Sequence, residues 1–407
     1  MLFGTALCTV VSLSTPATAH AQAWNWQGGA RATLEHNSNQ ALTVANSPAL
    51  LTARLTATGR AGRQAPIGRS EGEAELVFDA SRQAGRGDGS VLGRVTLNHQ
   101  IEALRDSGSA RIGHRRNRPI ENARTASEAA FGTGEQDVTE LALSWSHAFS
   151  ERLSAELDTG RSRTRVSAPS AGQGYALANG SAGLRFRFSE ITTLTGSLGR
   201  TRQRLDGNGL LIDIDTLRLG GSMTASETLS FRLDAAHSAT TQVFTLRALV
   251  CPLPASFCQG GLVPFVLAEQ VARSRRSQTQ YNVSGQWRWS ETSTFAARAS
   301  RALTAGVQGV SLEDSHGLDV AHDAGPDTSV SLAWQQSRST LAGQPGASAG
   351  RLQSLALVAN HRLGERLSLL GQLQHRRYSR GTLDTGASGT VLSISLQYLG
   401  ATVPLPH

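Results

Sequence analysis

The feature that most constrains this chain is a short turn phrase that keeps returning: Phe149-Ser-Glu-Arg-Leu-Ser, Phe188-Ser-Glu-Ile-Thr-Thr, Thr224-Ala-Ser-Glu-Thr-Leu-Ser, Trp289-Ser-Glu-Thr-Ser-Thr, Asp323-Ala-Gly-Pro-Asp-Thr-Ser and Leu363-Gly-Glu-Arg-Leu-Ser. Each copy lies between segments of roughly ten residues in which every second side chain is apolar and the intervening ones are Arg, Glu, Ser, Thr or Gln. A period of two sends alternate side chains to opposite faces, so the segments read as strands with one greasy and one wet face, joined by tight hairpins. The other connections are long, irregular and Gly-rich. Short turns at one end and long loops at the other describe an all-β chain: a transmembrane antiparallel up-and-down β-barrel with short periplasmic turns and long extracellular loops.

Counting the alternating segments gives about eighteen strands. The pattern opens over residues 24–36, with Trp24, Trp26, Ala30, Ala32 and Leu34 on one face. It continues through 50–58, 71–80, 91–101 and the less regular 110–116, and is clean from Thr139 onward. Nowhere after residue 21 does an apolar run approach the roughly 18 to 20 residues of a membrane-spanning helix, so a chain that enters a bilayer must close into a barrel and pair every backbone group. Apolar content of 39% suits this, because half of each strand faces water. An even strand count places both termini on the short-turn side. Phe149, Phe188, Trp289 and Tyr398 beside the short turns are expected to form an aromatic girdle at the inner interface, with His147, His322 and His361 packed into it.

Residues 1–21 read as a secretory signal, with an apolar run from Leu2 to Leu13, Pro16, and the small-x-small site Ala19-His20-Ala21. That leaves 22–407 as one barrel domain bound for the bacterial outer membrane, assembled by its barrel-insertion machinery. Cys251 and Cys258 stand close together in a loop of an exported chain and are expected to form a disulfide. No His accompanies them, so no metal site is expected. The longest loop, 238–276, contains both cysteines and an apolar run from Gly261 to Ala268; it reads as a surface loop, with inward folding as a constriction the alternative.

Net charge is +8 and every basic residue is Arg. Basic residues alternate with apolar ones and no aromatic stacking platform accompanies them, which argues against nucleic acid as a partner. In the inward phase Arg54, Arg94, Arg185, Arg187, Arg218, Arg232, Arg288, Arg298 and Arg376 are interleaved with Glu73, Glu75, Asp79, Glu140, Glu156, Asp158 and Asp234, which reads as ladders that stabilise the wall by cross-strand pairing, with contact to an anionic solute or uronic-acid polymer as the functional alternative. At the long-loop ends Arg115, Arg116, Arg163, Arg165, Arg202, Arg204, Arg275, Arg276 and Arg377 are candidate contacts for lipopolysaccharide phosphates in the surrounding outer-membrane lipid. There is no HExxH, nucleophile elbow or phosphate loop, and neither enzymatic activity nor a cofactor is expected.

The strand WNWQGGARATLEHNSN (24–39), followed by hairpins such as SHAFSERLSAEL (146–157) and NHRLGERLSLLGQLQ (360–374), resembles outer-membrane barrels of Gram-negative exopolysaccharide and exosortase (PEP-CTERM) gene clusters. The resemblance implies a channel or assembly component for export of an extracellular polymer, working with periplasmic export components. The alternative is a general porin or a structural barrel with no specific substrate. One departure is the tail: Tyr398 is followed by nine further residues, where such barrels end on an aromatic residue.

Overall fold

The computed structural model describes residues 24–39, 42, 49–83, 86–118, 135–167, 174–206, 209–250, 266–306, 309–341, 350–380 and 386–405. The signal segment and both loop cysteines lie outside them. The strands are β1 (Trp24–Asn37), β2 (Leu50–Ala65), β3 (Gly68–Gln83), β4 (Arg86–Glu102), β5 (Asp106–Asn117), β6 (Gln136–Ala148), β7 (Leu153–Val166), β8 (Tyr175–Arg187), β9 (Thr192–Leu205), β10 (Leu211–Ser226), β11 (Leu229–Val250), β12 (Val266–Ser290), β13 (Ser293–Gly306), β14 (Gly309–Asp323), β15 (Thr328–Leu341), β16 (Gly350–Arg362), β17 (Leu367–Arg380) and β18 (Ala387–Leu399). Each pairs antiparallel with its neighbours in sequence, and β18 closes on β1 from Gly29↔Leu399 to Asn37↔Val391. The result is a closed antiparallel barrel of eighteen strands. Past Tyr398, the tail returns as a short strand β19 (Val403–Leu405) against Trp24, Asn25 and Trp26.

The recurring turn phrase has a local cause. Ser150 Oγ accepts from the amides of Arg152 at 3.3 Å and Leu153 at 3.1 Å, Ser189 Oγ accepts from Thr192 N at 3.1 Å, and Ser226 Oγ accepts from Thr228 N at 3.3 Å. A short hydroxyl that satisfies the turn amide is what closes a hairpin without a longer loop. An unrecognised member of the series joins β2 to β3 across Pro66 and Ile67 alone.

Packing is inverted relative to a water-soluble fold. Leu219 is 63% exposed, Leu198 64% and Leu233 58%, together with most other large apolar side chains of the outward phase. On β7 the outward positions from Leu153 to Arg161 cover about 27 Å of strand, or about 21 Å along the axis at a tilt of about 40°, close to the height of a membrane-facing band. Below that band Trp145 stacks on His147 with centroids 5.8 Å apart, and His147 meets Phe149 edge-on at 4.9 Å. His147 Nδ1 also lies 2.9 Å from Asp106 Oδ1, His322 pairs with Ser293 at 2.8 Å and His361 with Thr328 at 2.9 Å. Each of these histidines is tied to the next strand, and His147 also packs between Trp145 and Phe149.

Two pieces of chain fold into the lumen near its long-loop end. Leu42, between β1 and β2, packs on Leu352, Ala387 and Tyr378 of the inner wall. Its backbone is left-handed (φ 47°), which costs about 1 to 2 kcal/mol for a residue with a Cβ; burying the side chain returns about 2 kcal/mol. The second piece is the tip of the β13–β14 hairpin. Pairing of β12 with β13 ends at Tyr281↔Arg301, and beyond it Leu303 and Val310 pack on Leu205, Ile212 and Ile214 of β9 and β10. The tip therefore crosses the inner faces of β11 and β12, where Ser238 and Gln280 are buried beneath it. Gln280 Oε1 accepts from Leu303 N at 3.3 Å.

Two expectations change accordingly. Residues 238–250 and 266–276 are not loop: they continue β11 and β12, paired from Ser238↔Gln278 to Val250↔Val266. Inward folding is the work of the β13–β14 tip, in a stretch whose alternation is hidden because it packs inside the barrel.

Candidate functional site

Alternation fixes which charges enter the lumen. In the short-turn half of β8 to β13 the inward positions hold Arg185, Arg187, Arg218, Arg232, Arg288 and Arg298, and the one inward carboxylate among the described residues of these strands is Asp234. These arginines form an arc in the short-turn half of the lumen. Three adjoining recesses, of about 370, 430 and 370 Å³, line it: the first holds Glu156, Asp158 and Arg185, the second Arg185, Arg187, Arg232 and Asp234, the third Arg232, Arg298 and Asp319.

The arc is held from both sides. Arg185 reaches Glu156 at 2.7 Å, Arg232 reaches Asp234 at 2.8 Å and Arg298 lies 3.7 Å from Asp319. Arg288 donates to the Glu227 carbonyl at 3.1 Å. Asp234 in turn accepts from Asn282 Nδ2 at 3.2 Å. Two glycines make room for these long side chains: a Cβ at Gly220 would collide with the Asp234 carboxylate, and one at Gly317 with the Arg298 stem. Side chains of Arg185, Arg232 and Arg298 remain 55%, 61% and 48% exposed, so their guanidinium faces stay open to the lumen water.

The opposite sign gathers on the neighbouring arc. Arg94 is pinned between Glu73 at 2.9 Å and Glu75 at 3.1 Å, Arg60 pairs with Glu71, and Arg111 lies 3.6 Å from Glu140. Arg54 makes a two-pronged contact with Asp79, at 2.6 and 3.3 Å, and the Asp79 side chain is only 2% exposed. The lumen thus carries an arginine arc beside a carboxylate-rich one.

The sequence-derived residues sort into distinct groups. Arg185, Arg187, Arg218, Arg232, Arg288 and Arg298 come together in the arc. Arg54 and Arg94 are inward but lie on the carboxylate-rich side, and Arg376 is inward yet fully buried at 0% exposure, which removes it from contact with a solute. Of the rim arginines, Arg116, Arg163, Arg165, Arg202, Arg204, Arg275 and Arg377 point outward. Arg115 and Arg276 instead share the lumen phase, being opposite Arg94 and Thr240. Asp319, Gly220 and Gly317 were not singled out from sequence; their positions in the inward phase of β10 and β14 were the available signal.

No protein-family model matches the chain, and no curated protein sequence matches it. Among solved structures it is similar to Pseudomonas aeruginosa OccK7 (OpdD), 10% identical over 94% of this chain and 99% of that one, with a TM-score of 0.49. It is also similar to Acinetobacter baumannii OccAB1, at 10% identity, 93% and 97% coverage and a TM-score of 0.48, and to Pseudomonas aeruginosa OpdK with vanillate, at 11% identity, 93% and 99% coverage and a TM-score of 0.47. None of these comparisons ties the chain to exopolysaccharide or exosortase gene clusters.

Proposed function

We propose that the chain is a passive, water-filled channel of the bacterial outer membrane that favours small anionic solutes. The observation that carries this is the arginine arc: six guanidinium groups in the short-turn half of β8 to β13, with Asp234 the one carboxylate among them on the same strands, four of the six (Arg185, Arg187, Arg232 and Arg298) lining adjoining recesses of the inner wall. Arginine suits the task because its planar fork of donors matches carboxylates and phosphates and never loses its charge. The apolar outer band and closed strand pairing support the membrane setting, since a ring of paired strands leaves no backbone group bare in lipid.

Small solutes fit better than an exported polymer. Leu42 and the β13–β14 tip residues Leu303 and Val310 sit in the long-loop end of the lumen, where an extended chain would need a clear bore, while a compact anion passes the arc beneath them. The porin alternative is therefore our reading, in preference to polymer export. The test is the reversal potential of the mature chain in a planar bilayer under a KCl gradient. Chloride-selective conductance is expected; cation selectivity, or no conductance at all, would overturn the proposal.

A further inference from the structure

We propose that the outer surface of β7, β8 and β9 is a docking slot for the phosphorylated headgroup of an outer-leaflet glycolipid. Two columns of arginine point outward there, Arg161, Arg163 and Arg165 on β7 and Arg200, Arg202 and Arg204 on β9. The strand between them offers only Ala176, Ala178 and Gly180 on the same face, in register as Arg163↔Ala176↔Arg204, Arg161↔Ala178↔Arg202 and Gly180↔Arg200. Two strand spacings separate the columns by about 10 Å, so the small residues floor a slot walled by guanidinium groups.

Charge in the slot is only partly met by protein. Asp213 lies 2.7 Å from Arg202 and 3.6 Å from Arg200, Asp215 lies 3.6 Å from Arg200, and Asp206 lies 3.8 Å from Arg163. Asp137, opposite Arg165 in register, lies 3.9 Å from Arg116 instead. Arg161, Arg165 and Arg204 make no ion pair among the described residues, and all are exposed. The excess is positive and faces away from the lumen.

Position selects a lipid over a dissolved anion. Directly below on the same face are Leu157, Ala182, Leu184 and Leu198, so the slot is continuous with the apolar band. A ligand with phosphomonoesters above and acyl chains below satisfies both parts, the phosphates taking two-pronged contacts from arginine. A second copy of this chain does not, because a two-fold contact would set these columns against each other. The inference rests on the membrane reading of the barrel and adds a site that reading does not require.

The experiment is titration of the detergent-solubilised barrel with a diphosphorylated glucosamine-disaccharide lipid, followed by native mass spectrometry. Its controls are the same lipid stripped of phosphate and inorganic diphosphate as competitor. The Arg161→Gln/Arg165→Gln/Arg204→Gln variant is expected to raise the apparent Kd by about tenfold, whereas Arg338→Gln/Arg351→Gln, elsewhere on the outward collar, leaves it unchanged. Equal affinity for the phosphate-free lipid, equal loss in both variants, or displacement by inorganic diphosphate at equimolar concentration overturns the slot. Flotation of the wild type and both variants with phospholipid vesicles separates the two claims: barrels that float yet bind no glycolipid end the slot alone, and a wild type that stays in the aqueous layer ends the membrane reading.

Discussion

Replacing Arg187 and Arg218 by Gln tests the arc where it is least entangled with structure. Neither makes an ion pair among the described residues, unlike Arg185, Arg232 and Arg298, so their removal leaves no carboxylate stranded. Two unit charges about 6 Å apart in water interact by about 0.7 kcal/mol. At 0.1 M salt, with a Debye length of about 10 Å, about 0.4 kcal/mol per arginine survives, so the pair contributes about 0.8 kcal/mol and about a fourfold preference for a passing anion. At 0.01 M the contribution grows to about 1.1 kcal/mol and about sevenfold, and at 1 M it shrinks to about 0.2 kcal/mol and less than about 1.5-fold. The assay is the chloride-to-potassium permeability ratio from reversal potentials at these three salt concentrations. Each arginine repels potassium as strongly as it attracts chloride, so the double variant should lower the ratio by about the square of those factors, most at low salt. A loss that is equal at every salt concentration would refute the reasoning, since it would report a rearranged pore instead of a missing field.

Other perturbations probe the wall, the ion pairs and the tip. Leu219→Arg, in the outward band, should destabilise the folded barrel by about 2 to 4 kcal/mol in lipid, while Gln372→Arg, facing the lumen, should be tolerated; urea unfolding in vesicles measures both. Arg54→Ala leaves the buried Asp79 carboxylate with only the longer contact to Arg118, at 3.9 Å, and should cost about 1 to 3 kcal/mol, with Arg54→Met/Asp79→Leu recovering part of it in the same assay. Leu303→Asp/Val310→Asp would set carboxylates against Ile212, which is 0% exposed, so the hairpin tip should leave the lumen and single-channel conductance should rise. Unchanged conductance would mean that the tip does not restrict the pore.

Alternation made the wall legible because it reports a physical boundary. Wherever one face is apolar and exposed on the outside and the other polar, as from Leu141 to Leu157 or Leu355 to Leu373, the pattern gives the strand and the side each residue faces. It fails where that boundary ends. In residues 271–276 of β12 charge stands on both faces, with Arg273 and Arg275 outward and Arg276 toward the lumen, so the stretch reads as loop while forming regular pairs. In the β13–β14 tip Leu303 and Val310 are apolar for contact with Ile212 inside the lumen, and nothing local in the sequence announces that contact. The arc was visible residue by residue, but its grouping on adjacent strands depends on the closed order of the ring.

One residue type serves both faces of this wall, and strand phase alone decides its task. Arg185 and Arg187 on β8 look into the lumen, while Arg200, Arg202 and Arg204 on β9 look out. A slip of one residue in β9 would send those three inward, move Leu194 and Leu198 to water, and place Thr195 and Ser197 against lipid. Such a slip is held off first by the turn, where Ser189 Oγ accepts from Thr192 N and leaves no spare residue to absorb a shift. Closure then makes the error collective: with β18 paired to β1, a shift in one pair must be undone by an opposite shift elsewhere around the ring. The short Ser-bearing turns therefore do more than reverse the chain. By fixing register at one end of the β6–β7, β8–β9 and β10–β11 hairpins, they keep a single set of arginines divided between the lumen arc and the outer slot.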